Sequence, residues 1–291
     1  MQKGSSSKRV SIVSVTYNSA AVIDKCLASI PKGIKVFVVD NASADETKKV
    51  IKENHSKTLL IESKKNVGFG RANNLALEKI KTEFALLLNP DTELQEDSIK
   101  KLLATADKYP DAAIIAPTLF HEDGRLQQSY KTSVFQREKC KAVYIKPEGD
   151  LCAECLSGAV MLLRMSSFKE IGFFDPNIFL FYEDDDICLK VREAGYSLVI
   201  TPDSQVKHLM GRSSPATFKN IYLKNWHMMW SRLYLEKKYK SDHLSRMMAI
   251  KSLYIYAAKG LLYALRFNLE KAVRSWARSV ASIAFLVGKT V

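Results

Sequence analysis

The chain has 291 residues, 47% of them apolar and 26% charged, which is ample material for a core and excludes general disorder. Its 44 Lys and Arg against 31 Asp and Glu give a net charge of +13, a surplus that suits a polyanionic partner such as nucleic acid, a nucleotide or an anionic membrane. The surplus is local: residues 216–291 hold 14 basic and 3 acidic side chains, leaving 30 and 28 in residues 1–215.

At the N-terminus, residues 1–9 read as a flexible lead-in without the apolar region and small-residue cleavage site of a signal peptide. No apolar window reaches the length of a transmembrane helix, so a cytoplasmic location is expected. From residue 10 to residue 118, short β-branched runs alternate with helical patterns, the signature of parallel strands joined by crossover helices. Strands are predicted over 10–18, 35–40, 58–63, 83–88 and 112–118. Helices are predicted over 20–30, 71–79 and 96–109, with another, following the second strand, opened by a capping box of Ser43 and Glu46. The alternation then loosens into an Asp-Gly turn within 121–127, a polar loop over 136–154, an apolar strand over 155–163 and a short helix over 166–171 ended by Gly172. An amphipathic helix follows the acidic run 183–186, and a further strand covers 197–202. Residues 10–215 are thus expected to form one α/β domain.

Open α/β sheets bind ligands outside the carboxyl ends of their strands. Here those ends carry Asn18, then Asp40 and Asn41, then Asn66, Gly68 and Gly70, then Asn89 and Asp91. Each alone is an ordinary turn former; four consecutive strands presenting polar groups to one edge argue for a site. The loop 66–74 holds the first two glycines of G-x-G-x-x-G, but Asn73 stands at the third position and the loop follows the third strand, so a dinucleotide fingerprint is excluded. The P-loop sequence is absent as well.

The densest chemistry is Glu183, Asp184, Asp185 and Asp186, directly after Phe179, Leu180, Phe181 and Tyr182. Adjacent carboxylates repel and need solvent, a helix N-terminus or a cation. One held between an aromatic wall and other carboxylates gains proton affinity, which suits a general base. His208 and Asp91 together offer an imidazole and a hard oxygen to a divalent cation. The five cysteines, Cys26, Cys140, Cys152, Cys155 and Cys188, read as reduced thiols. The lone C-x-x-C of Cys152 and Cys155 lacks a second pair or a suitably spaced histidine, which speaks against zinc or redox chemistry.

In order along the chain, SVTYN, VVDNAS, NVGFGRANN, LLLNPDTE, LSGAVMLLR, the aromatic-EDDD segment and the late histidine with GRS resemble a family 2 glycosyltransferase of the A-type fold, in its rhamnosyltransferase-like branch. The resemblance runs from about Val10 to Ser213. It implies a central mostly parallel sheet flanked by helices and an inverting, metal-dependent transfer from a nucleoside diphosphate sugar. Asp40 would accept the N3 hydrogen of uracil or thymine, Thr16, Tyr17, Asn18 and Asn41 would line the nucleotide pocket, and Asn66, Gly68, Arg71, Asn74 and Asn89 would complete it. Asp91 would hold Mg2+ or Mn2+ with His208; it is the last position of the family's D-x-D element, whose first carboxylate is replaced by Asn89. Asp184 matches the catalytic base, and Ser157, Gly158 and Glu183 would meet the sugar or the acceptor. The implied donor is dTDP-rhamnose, with a UDP-hexose or UDP-N-acetylhexosamine as the alternative. The implied acceptor is a lipid-linked glycan of bacterial surface polysaccharide.

Residues 216–291 read as a basic helical extension, with Phe218, Ile221, Tyr222, Asn225, Trp226, Met229 and Leu233 near one face. Lys251, Lys259 and Arg266 form one basic stripe, and Lys271, Arg274, Arg278 and Lys289 another. Such helices either lie peripherally on the cytoplasmic face of an anionic plasma membrane or dock as a hairpin on the catalytic domain or on a second copy in a homodimer. Nucleic-acid binding lacks any supporting fold signature. A silent scaffold of the same fold is opposed by the presence of Asp40, Asp91 and Asp184.

Overall fold

The structure, a computed structural model, describes residues 5–131, 134–135, 147–209 and 217–290. The chain divides into two compact units: Met1–Val67, Arg71–Phe174 and Asp184–Ser213 make the first, and Gly68–Gly70, Asp175–Glu183 and Ser214–Val291 the second. The second unit therefore takes two short segments that the sequence places in the catalytic domain.

The elements run α1 (Ser6–Arg9), β1 (Val10–Thr16), α2 (Ile23–Ala28), β2 (Lys35–Asp40), α3 (Thr47–Asn54), β3 (Leu59–Glu62), α4 (Phe69–Leu77), β4 (Phe84–Leu88), β5 (Thr92–Leu94) and α5 (Ser98–Lys108). They continue as β6 (Ala112–Phe120), β7 (Leu126–Gln127), β8 (Tyr130–Lys131), β9 (Leu151–Cys152), β10 (Cys155–Leu156), β11 (Val160–Arg164), α6 (Met165–Ile171), α7 (Glu183–Glu193) and β12 (Ser197–His208). The main sheet has the order β3-β2-β1-β4-β11-β6-β12-β5. It is parallel from β3 through β4 and again between β6 and β12, while β11 and β5 run antiparallel. β1 and β4 are buried along their whole length, as expected of strands covered on both faces. Ile12, Leu86, Leu102, Ile115 and Leu162 lie in one core that joins this sheet to α5.

Several expectations change. Within the stretch expected to be flexible, Ser6–Arg9 forms a helical turn. Arg9 is buried there, with Nε 2.7 Å from Glu83 and Nη2 2.8 Å from Asp107. No capping box forms: Ser43 Oγ accepts the Asn18 N–H and its own N–H goes to Asp40 Oδ2. Asp45 Oδ1 instead accepts the Thr47 N–H at 3.1 Å. The apolar run 155–163 splits into β10 and β11 around Ser157, Gly158 and Ala159. The strand expected over 197–202 continues to His208 because β5 pairs with its far end, His208 opposite Thr92. Of the polar loop expected over 136–154, residues 136–146 lie outside the described residues, and Leu151–Cys152 pairs with β12.

The second unit holds α8 (Phe218–Tyr239), α9 (Asp242–Leu265) and α10 (Leu269–Leu286). Each is capped by a side chain, those of Thr217, Ser241 and Asn268 accepting from the N–H three residues on, a device worth about 1 kcal/mol per cap. Met229, Trp230, Leu233, Ala249, Ala281 and Phe285 form the core of this bundle, whereas Phe218, read as sharing a face with Met229 and Leu233, is exposed. Arg278 also leaves the expected basic stripe: its guanidinium donates to Asn225 Oδ1 at 3.1 Å and to the Tyr256 hydroxyl at 3.2 Å. The segment Asp175–Glu183 is fastened to α8, with Asp175 accepting from the Tyr234 hydroxyl at 2.9 Å and from Lys238 at 2.7 Å. Leu180 O accepts from Ser231 Oγ at 3.0 Å.

Candidate active site

The site begins at the carboxyl ends of β1 and β2. Thr16 and Asp40 stand side by side in the register and both are buried. Asp40 Oδ2 accepts the Ser43 N–H at 3.1 Å, and Thr16 Oγ1 approaches Asp40 Oδ1 at 3.4 Å. Tyr17 is exposed beside them. Asn18 takes up a φ of 53° and Oδ1 accepts the Ala44 N–H, so it shapes the rim of the edge. Asn41 does the same one strand over: its Nδ2 donates to Asn66 Oδ1 at 2.9 Å and its Oδ1 accepts the Val67 N–H at 2.9 Å. These amides hold the loops after β1, β2 and β3 together around the Asp40 carboxylate.

In the glycine-rich loop, the backbone itself demands glycine at one position. Gly68 has a φ of 90°, and a Cβ there would lie 2.3 Å from the carbonyl oxygen of Phe179, so both backbone and space require glycine. Arg71 is half-buried in the first turns of α4. Asn74 bonds the backbone of Phe174, donating to its O at 2.9 Å and accepting from its N–H at 3.1 Å, which clamps that chain segment.

At the end of β4 the chain meets the start of β11, with Leu88 opposite Val160. The Asn89 N–H donates to Ala159 O at 2.9 Å, so the N-P-D turn and the S-G-A turn share one edge. Gly158 then donates its N–H to Asp184 Oδ2 at 3.2 Å, and a Cβ on Gly158 would come within 3.0 Å of Asp184 Cβ. Ser157 is tied in by its N–H to Ser129 O at 2.9 Å. Burial, then the neighbouring Asp185 charge, raise the Asp184 pKa; Lys131 and the Gly158 N–H oppose them. Such a carboxylate is more basic than an exposed one, which suits a general base.

Two residues that sequence reading missed complete this cluster. Lys131 Nζ pairs with Asp185 at 2.8 and 3.0 Å. Burial works against its charge, but Asp184 and Asp185 outweigh that and hold its pKa above lysine's ordinary value. Cys155 donates its thiol to Asp185 Oδ1 at 2.7 Å; Cys188 and burial push its pKa well up, keeping the thiol protonated. Cys155 is thus a hydrogen-bond donor, while Cys152 is exposed on β9. Glu183, the first residue of α7, is buried and belongs to the second unit. The two residues before it, Phe181 and Tyr182, have φ of 65° and 66°, each costing about 1–3 kcal/mol at the entrance to the acidic run.

The pairing of β5 with β12 brings Asp91 and His208 together, Oδ1 3.4 Å from Nε2, with both side chains largely buried. Gln127 Nε2 lies 2.9 Å from His208 Nδ1, and its Oε1 is buried with no hydrogen-bond partner. With the amide turned over, Oε1 would accept the Nδ1 proton and leave the Nε2 lone pair facing Asp91, the tautomer that a metal ion needs. Beside His208 lies a cavity of about 330 Å³ lined also by His121, Glu122, Asp123, Arg125 and Leu209. Its wall is the hairpin that joins β6 to β7, visible in the sequence only as an Asp-Gly turn.

Comparison with known proteins shows the family and the fold. The profile of Glycosyl transferase family 2 matches residues 11–172. Among curated relatives, N-acetylglucosaminyl-diphospho-decaprenol L-rhamnosyltransferase of Mycobacterium tuberculosis is 24% identical over 70% of this chain and 76% of its own. Rhamnosyltransferase WbbL of Escherichia coli K12 is 25% identical over 79% and 93%. Among solved structures, S. aureus TarS 1–349 superposes with a TM-score of 0.56 at 16% identity, covering 96% of this chain and 92% of that one. A mannosyltransferase from Pyrobaculum calidifontis, solved with GDP-Man and Mn2+, gives 0.56 at 16% identity over 97% and 86%. With its profile match spanning more than half the sequence and its fold shared with these transferases, the chain belongs to glycosyl transferase family 2.

Proposed function

We propose that the protein is an inverting rhamnosyltransferase that moves rhamnose from dTDP-rhamnose to a lipid-linked glycan in bacterial surface-polysaccharide synthesis, at the cytoplasmic face of the plasma membrane. The observation that carries this reading is Asp184, a carboxylate of raised proton affinity fixed by Gly158 on the edge that also bears Asp91 and His208. The two rhamnosyltransferase relatives supply the sugar, and the first of them, by its name, acts on a lipid diphosphate acceptor.

Asp40 accepts the N3–H of the thymine, beside Thr16 and Tyr17, and Asn66, Asn89 and Arg71 stand toward the ribose and diphosphate. Asp184 removes the proton of an acceptor hydroxyl positioned beside Ser157. The hydroxyl oxygen bonds to the anomeric carbon from the face opposite the diphosphate, whose C–O bond breaks with its electron pair leaving on the diphosphate. No protein acid is needed, because Arg71 neutralises part of the departing charge.

Asp91 and His208 would hold a divalent cation, Mg2+ or Mn2+, and the unpartnered Oε1 of Gln127 fits the role of fixing the imidazole. Among the described residues no third His, Cys, Asp or Glu joins them, so the remaining positions would fall to diphosphate oxygens and water. When bound, the ion stabilises the negative charge that develops on the leaving diphosphate.

A panel of dTDP-, UDP- and GDP-sugars offered with a polyprenyl-diphosphate acceptor tests the proposal. Transfer from dTDP-rhamnose with inversion at the anomeric carbon, read by NMR, is expected. Binding of none of these donors would overturn the enzyme reading, and transfer only from a UDP-hexose or UDP-N-acetylhexosamine would overturn the rhamnosyl assignment.

A further inference from the structure

Helix α9 is built inside out. The residues it buries are Ser245, Ala249 and Gly260, and a Cβ at Gly260 would lie 2.3 Å from the indole of Trp276, so a small-residue face makes the contact with α10. Its large apolar side chains point the other way. Leu244, Met247, Tyr254, Leu261 and Leu265 are each more than half exposed, and Phe267, in the turn to α10, is 91% exposed. At about 100° per residue the five helical positions fall within an arc of about 100°. A helix in a water-soluble bundle normally buries this stripe, and an exposed apolar face of this extent marks a binding surface.

The charge around the stripe says what covers it. Lys251 falls inside the arc, and Arg246 and Lys259 flank it by about 60° on either side. Between residues 243 and 290 there are eight basic residues and one acidic residue, Glu270, and that one is paired with Arg274. A second copy laid face to face would bring these cations against one another. Anionic headgroups instead complement them, while the lysine and arginine stems lie along the apolar surface. Among the described residues no helix is long and apolar enough to cross a membrane, which fits a helix lying in the interface.

We infer that the Leu244–Leu265 stripe of α9 and the Phe267 turn form the face by which the protein lies on an anionic bilayer. This replaces the stripe containing Arg278, whose guanidinium is spent inside the bundle. It deepens the proposed function, resting on it only for the purpose of meeting a lipid-linked acceptor.

Sedimentation of the full-length protein with vesicles of mixed phosphatidylglycerol and phosphatidylcholine, with neither donor nor acceptor present, tests it. Binding at low salt that weakens as salt rises is expected. A Leu261→Gln, Leu265→Gln, Phe267→Ser variant, altered only at exposed positions, should bind at least about tenfold more weakly with unchanged circular dichroism and melting. A Lys251→Gln, Lys259→Gln variant should lose its preference for phosphatidylglycerol over phosphatidylcholine alone. The inference is overturned if full-length protein ignores the anionic vesicles, if the apolar variant binds them like the parent, or if ultracentrifugation shows a dimer that the apolar variant dissolves. Because no sugar transfer is read, none of these failures touches the transferase assignment, and a failed donor panel leaves vesicle binding intact.

Discussion

Lys131 and Asp185 form an ion pair at 2.8 Å in which the acid is almost wholly buried and the lysine half exposed, next to Asp184 in the chain. The pair holds one of two adjacent carboxylates neutralised, so that the other can titrate. Lys131 also lowers the proton affinity of Asp184 directly, against burial and the Asp185 charge.

Replacing Lys131 by Met should therefore raise the pKa of Asp184 further. A general base works deprotonated, so activity falls as pH drops through its pKa, and raising that pKa moves the loss to higher pH. The acid limb of the kcat profile should shift to higher pH, with parent and variant converging in alkali and Lys131→Arg restoring the parent limb. An unmoved limb would make Lys131 purely structural.

Gly158→Ala pushes a Cβ to within 3.0 Å of Asp184 Cβ, displacing the carboxylate by a few tenths of an ångström. A drop in kcat of about tenfold is expected, with dTDP affinity measured by calorimetry unchanged because the Asp40 end is untouched.

Gln127→Leu removes the group that orients His208. Affinity for Mn2+ in the presence of dTDP, followed by paramagnetic relaxation of water protons, should weaken by about 10–100-fold, while stability without metal falls by about 1–3 kcal/mol because His208 Nδ1 loses its partner.

Gly68→Ala meets both a φ of 90° and the Phe179 carbonyl. A loss of about 2 kcal/mol in urea denaturation is expected.

Much of this protein is legible in its sequence because its central strands are buried on both faces. The apolar runs of β2 and β4, and that of β1 broken only by Ser11 and Ser14, read directly, and the polar residues that end them fall on one edge by topology alone. The acidic run before α7 is equally visible, since four adjacent carboxylates are costly without a purpose. What stayed hidden depends on chain return. Lys131 lies on a two-residue strand, 54 positions from its partner Asp185, and Gln127 meets His208 across 81; neither spacing leaves a periodic signal. Ser43 and Glu46 match a capping box in sequence, but the Asn18 N–H claims the serine. In α9 the helical period shows which residues share a face, while only the packing against Trp276 shows that the small ones are inside.

The central claim, that Asp184 takes the proton from the acceptor hydroxyl, is tested most directly by Asp184→Asn. Asparagine keeps the size of the side chain and, with its carbonyl oxygen, the hydrogen bond from the Gly158 N–H, but it has no basic carboxylate. Calorimetry with dTDP-rhamnose and single-turnover transfer should show donor affinity within a few fold of the parent and a transfer rate reduced by at least about 100-fold; transfer at the parent rate would contradict it.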